Sequence, residues 1–140
     1  VTDLTTRMAI LPHDRPTCVN ARIALFAMRR MGANGLDDAR AAHAMLSAFG
    51  QQFRRPLVLM RALMADLAAH AHEPITIAPC CCVRMTASEN SLLAILARAE
   101  TAPEAARLLM ADLLGTRRVD GVLASAAAVA AAFADEGRPL

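Results

Sequence analysis

From Pro56 to Ala69 the chain reads Pro-Leu-Val-Leu-Met-Arg-Ala-Leu-Met-Ala-Asp-Leu-Ala-Ala, and almost every side chain is apolar. Proline is accepted in the first turn of a helix, where its missing N–H costs nothing. A helix that is apolar around most of its circumference must be buried on most sides. The run falls short of the roughly 18–20 apolar residues that a membrane span needs, and Arg61 and Asp66 interrupt it. The spacing therefore predicts a buried central helix over about 56–72, ended by Pro74, with the rest of the chain arranged to cover it.

The covering elements are also helical. Ile23, Phe26, Ala27 and Arg30 recur at three- and four-residue steps, which predicts a helix over 22–31. Asn20 is its expected cap, and Gly32 and Gly35 stand where it should stop. Asp37 or Asp38 opens a second helix through Ala39, Ala42, Met45, Leu46 and Phe49, ended by Gly50. So short a connection predicts a helical hairpin. Thr86-Ala87-Ser88-Glu89 and Thr101-Ala102-Pro103-Glu104 both have the capping-box spacing, in which threonine and glutamate satisfy two orphan amides reciprocally. Gly115 closes the helix after the second box. A last, alanine-rich helix runs from near Asp120 toward Gly137, with Val122, Leu123, Val129 and Phe133 as a thin stripe that suits docking or dimerisation. Residues 73–85 break the helical pattern. Ile75-Thr76-Ile77 is β-branched and alternating, hence extended, with no evident partner strand. Residues 1–17, interrupted by Pro12 and Pro16, read as an extended or flexible arm, and 18–140 as one helical domain. The expected fold is all-α, a single irregular bundle of five to six helices.

Composition narrows the function classes. The hydrophobic fraction of 56% exceeds the usual range for soluble domains, which points to a homo-oligomer in which a second copy covers part of the excess. Aromatic content is 3%, so the core must be aliphatic. All 15 basic residues are arginine, spread along the chain, and the net charge is only +2. Neither a basic stripe nor interleaved aromatics is present, so nucleic acid is not an expected partner. No membrane span and no signal peptide is expected, which makes the chain cytoplasmic and its cysteines reduced.

Cys80-Cys81-Cys82 is the one stretch with evident chemical content. In an extended segment Cys80 and Cys82 face one way and Cys81 the other, so Cys80 and Cys82 could chelate a metal with two more ligands from Cys18, His43, His70 or His72, His43 and Cys18 foremost. Zinc would be the cofactor, but no second local ligand pair exists, and no cofactor is otherwise expected. A redox role for Cys80, Cys81 and Cys82 is the alternative, because the loop leads into a helix N-terminus that favours thiolate. The plainer reading is that cysteine here packs as a small hydrophobe. Arg54 and Arg55, before Pro56 at a helix start, could form an anion pocket, or could simply be solvated charges. Asp66 and His70 are four apart and can meet; His70 and His72 cannot. None of the phosphate-loop, dinucleotide, nucleophile-elbow or zinc-protease motifs occurs, so no catalytic residue is assigned.

The segments Arg29-Arg30-Met31-Gly32-Ala33, Phe53-Arg54-Arg55-Pro56-Leu57 and Pro79-Cys80-Cys81-Cys82-Val83-Arg84-Met85 resemble a small alphaproteobacterial family of unknown function. The resemblance covers roughly residues 20–115. It implies a helical cytoplasmic domain and no assigned activity. The expected function is a non-enzymatic interaction or regulatory module, homodimeric. The alternative is a cysteine-based metal-binding or thiol-redox protein.

Overall fold

Six α-helices make up most of residues 11–140, the part of the chain that the computed structural model describes. In chain order they are α1 (Val19–Asn34), α2 (Ala39–Phe49), α3 (Arg54–His70), α4 (Ala87–Arg98), α5 (Pro103–Leu114) and α6 (Asp120–Asp135). A 3₁₀ turn, Gly50–Gln52, joins α2 to α3. Among the described residues the strands are two-residue pieces, β1 (His13–Asp14) and β2 (Arg84–Met85). They pair antiparallel, His13 opposite Met85 and Asp14 opposite Arg84. The fold is all-α, with this ladder as a clasp. The arm expected over 1–17 lies largely outside the described residues, and its described end is held by β1.

Local chemistry explains where the helices begin and end. Asp38 caps α2 by accepting from the Ala41 N–H at 2.9 Å. Gly50, at φ +61°, closes α2. Thr86 and Glu89 form the complete capping box of α4: the Glu89 N–H donates to Thr86 Oγ1 at 3.0 Å, and the Thr86 N–H donates to Glu89 Oε1 at 2.9 Å. The second box does not form. Pro103 keeps the preceding residue out of helical geometry, so Ala102 (φ −140°, ψ 64°) becomes the N-cap and Thr101 falls outside the helix. Asn20 is not a cap either. It lies in the first turn of α1, donates to the Pro139 carbonyl at 3.0 Å and accepts from Arg138 at 3.1 Å, which ties α1 to the chain's end. Gly32 does not stop α1. A mid-helix glycine costs only about 1 kcal/mol, and Gly32 lies in contact range of Ile77. The helix runs on to Gly35, at φ +99°.

Helix α3 packs chiefly on α6 and also meets α1 and α2. It buries Leu57, Met60, Leu63 and Leu67 at helical spacing. Its opposite side is wetter than the apolar run predicts: Val58 is 57% exposed. Its polar residues find partners. Arg61 donates to the Leu36 carbonyl at 2.9 Å, and Asp66 accepts from the Ser125 hydroxyl. Met28, Met45, Met60 and Met110 are fully buried, where a flexible thioether fills the irregular gaps of a core poor in aromatics. Phe49 and Phe133 meet edge to face, centroids 4.9 Å apart. The stripe on α6 is a correction to expectation. Val122, Leu123, Ala126, Val129, Ala130 and Phe133 are buried inside this chain, so that face is not free for a partner. Among the described residues no helix is long and apolar enough to cross a membrane.

Candidate functional site

The residues that break the helical pattern, 71–86, gather the unusual chemistry. At their back lies a buried ion pair. Arg29 falls on the inward face of α1, four residues after the buried Leu25, and is 2% exposed. Glu89 is 0% exposed. Arg29 Nε donates to Glu89 Oε2 at 2.7 Å and Nη2 to Oε1 at 3.1 Å, a bidentate pair. A buried pair is tolerable only when its remaining valences are met, and here they are met by backbone. Arg29 also donates to the carbonyls of Cys82 at 2.7 Å and Arg84 at 2.8 Å. Glu89 also accepts from the N–H of Ala78 at 3.2 Å and of Thr86 at 2.9 Å. The Thr86 hydroxyl donates to the Thr76 carbonyl at 2.6 Å. A segment without regular structure is thus fixed by one arginine, one glutamate and one threonine. The sequence signal for this was available only in part, as the capping box and the inward phase of Arg29.

The fastened loop in turn holds residues 11–14. Arg84 donates to the carbonyls of Leu11 and Pro12, both at 2.9 Å, and to Asp14 at 2.6 Å.

Two hollows border the loop. The larger, about 480 Å³, lies between α1, α3, α4 and residues 71–77. Met64, Leu67, Ile75, Ile77 and Leu92 wall it, and His72 and Glu73 bring polar groups to it. Gly115 makes room for the Glu73 stem: a Cβ there would stand 2.8 Å from Glu73 Cγ. The smaller cleft, about 210 Å³, is lined by Arg15, Arg22, Leu25, Phe26, Arg29 and Cys80. Arg30 stands nearby. Its guanidinium is held above the ordinary arginine value, first by Asp38, which it grips bidentately at 2.9 and 3.1 Å, and to a lesser degree by Cys80. The Asp38 carboxyl is correspondingly held below the usual carboxylate range, first by its hydrogen bond with Arg30.

The cysteine triplet is not extended. The Cys82 N–H donates to the Pro79 carbonyl at 3.1 Å and closes a turn, because Arg29 draws the Cys82 carbonyl inward. The alternation expected of Cys80 and Cys82 therefore does not apply. All four cysteines are free; Cys18 and Cys81 are exposed, Cys80 and Cys82 half-buried. Cys18 precedes α1, and His43 faces a different hollow with Phe26, Ala39 and Arg40. Among the described residues no three His, Cys, Asp or Glu side chains are grouped to hold one metal ion. Arg54 is exposed at the start of α3, and Arg55 donates to Asp135 at 2.7 Å across to the end of α6. His70 Nδ1 lies 2.9 Å from the Asp66 carbonyl oxygen, not its carboxylate.

These features define a small helical domain built around a clamped, cysteine-bearing loop. The chain belongs to a family of unknown function, DUF6628, whose model matches residues 3–107. The segments at 53–57 and 79–85 fall within that match, and it ends inside α5. No curated protein and no solved structure matches the chain.

Proposed function

We propose that the chain is a non-enzymatic interaction or regulatory module, cytoplasmic and homodimeric, which takes a small apolar ligand in the groove under residues 71–77. One observation carries this reading: a concave site of about 480 Å³ with an aliphatic wall and two polar groups. Small-molecule sites have this volume and this division of labour, apolar area for affinity and a few polar groups for orientation. Glu73 favours a ligand whose apolar body ends in a hydrogen-bond donor or a cation. The same loop roofs the groove and carries the clasp to β1, so an occupant acts on the segment that the Arg29–Glu89 pair fastens. The dimer is supported by the high apolar fraction.

Fluorescence of the neutral dye Nile red tests the groove. The native protein brightens the dye, and Ala68→Trp, which fills the groove from α3, abolishes the effect. A dye that stays dark with the parent protein, or binds Ala68→Trp equally well, ends the reading. Sedimentation velocity across a wide concentration range tests the dimer; a monomer throughout removes it.

A second reading takes the Cys80–Cys82 loop as a thiol-redox site. The position of Cys80 in an arginine-lined cleft favours it. The zinc form, with Cys80, Cys82, His43 and Cys18, has no comparable support among the described residues.

A further inference from the structure

We propose that Cys80 forms mixed disulfides with small anionic disulfides, selected by Arg15 and Arg22 at its cleft. The inference deepens the thiol reading and rests on it. Four free thiols are present, but of these Cys80 lines the cleft shared with Arg15, Arg22 and Arg29. The three arginines are not equivalent. Arg29 is neutralised by Glu89 and saturated by two carbonyls. Arg22 commits Nε to the Pro16 carbonyl at 2.6 Å and keeps its terminal nitrogens. The Arg15 guanidinium makes no hydrogen bond or ion pair with the described residues; only its backbone N–H is engaged, on Val83. Two guanidinium groups with no acidic partner among the described residues therefore share the cleft with Cys80. Leu25 and Phe26 supply an apolar wall, which suits an organic anion.

Chemically, the Cys80 thiol gives its proton to water and the thiolate attacks one sulfur of R–S–S–R. The Cys80–S–S–R bond forms as the original S–S bond breaks, and the electron pair leaves with RS⁻. The disulfide is itself the oxidant, and no further reagent is needed. Carboxylates on R meet Arg15 and Arg22, which concentrate the reagent at the thiolate as charged clefts concentrate their counter-ions.

Full-length protein carrying Cys18→Ser, Cys81→Ser and Cys82→Ser leaves Cys80 as the sole thiol. A companion with Cys18→Ser, Cys80→Ser and Cys82→Ser leaves Cys81. Each is mixed with dianionic dithiobis(nitrobenzoate) and with neutral dithiodipyridine, and the rate ratio is compared after circular dichroism confirms the fold. The ratio at Cys80 is expected to exceed that at Cys81 by about 10-fold or more. It should fall toward the Cys81 value in added salt and in Arg15→Ala with Arg22→Ala. Equal ratios at the two thiols, or a ratio unchanged in the arginine variant, overturn the selection while leaving a reactive thiol. A Cys80 that reacts with neither reagent until urea unfolds the chain overturns the thiol reading itself.

Discussion

Replacing Arg29 by Met and Glu89 by Leu together asks whether the buried pair serves itself or the backbone around it. Many buried ion pairs can be exchanged for apolar residues at no cost, because desolvation offsets their attraction. This one differs in what else it holds. Removing both side chains orphans the carbonyls of Cys82 and Arg84 and the amides of Ala78 and Thr86. A buried polar group without a partner costs about 1–3 kcal/mol, and the loop regains part of that by opening to water. The double variant should therefore stay at least about 3 kcal/mol less stable than the parent. Each single variant, which also strands a charge, should lose about 3–5 kcal/mol. Urea denaturation followed by far-ultraviolet circular dichroism measures all three. Limited trypsin digestion should cut faster after Arg84 in every variant, since the loop is what is released. A double variant within about 1 kcal/mol of the parent, with Arg84 still protected, would refute the reasoning.

Thr86→Ala removes the α4 cap and the bond to the Thr76 carbonyl, and should cost about 1–2 kcal/mol in the same urea assay. Thr101→Ala, outside α5, should stay within about 0.5 kcal/mol of the parent. Asp38 is held below its ordinary value of 3.8, so its contribution is fully present above that value and is lost as pH falls through the lower folded-state value. The gap in urea midpoint between parent and Asp38→Asn should accordingly be larger at neutral pH than in strong acid; a gap independent of pH would remove the Arg30 pairing as its cause. Gly115→Ala forces a side chain into φ +71° and against Glu73, and should lower the melting temperature, at a cost of about 1–3 kcal/mol. Gly121→Ala, in the open first turn of α6, should raise it by the equivalent of about 0.4–1 kcal/mol.

What could be read from the chain beforehand was what is decided locally. Asp38, Gly50, Thr86 with Glu89, and Gly115 act on amides and dihedrals within a few residues, and each does what its type and position predict. The failures came where a neighbour or a distant element competes. Pro103 displaced the cap from Thr101, α1 ran through Gly32 to Gly35, and Arg138 and Pro139 drew Asn20 away from capping. The site was less legible still. Arg29 and Glu89 are 60 residues apart, and nothing near either one names the other. The alanine-rich stripe looked free because periodicity shows that a face is apolar, not which element covers it; α6 meets α3, α4 and α5.

The clasp between β1 and β2 has a consequence for the order of assembly. Arg84 holds the strand at 13–14 while its own carbonyl is held by Arg29, so the clasp rests on a backbone that α1 and the start of α4 fix. Residues 13–14 should thus be among the last of the described residues to settle during folding. Hydrogen exchange should find the amides of this ladder opening well before those of α3, by a fluctuation that leaves the helical bundle intact.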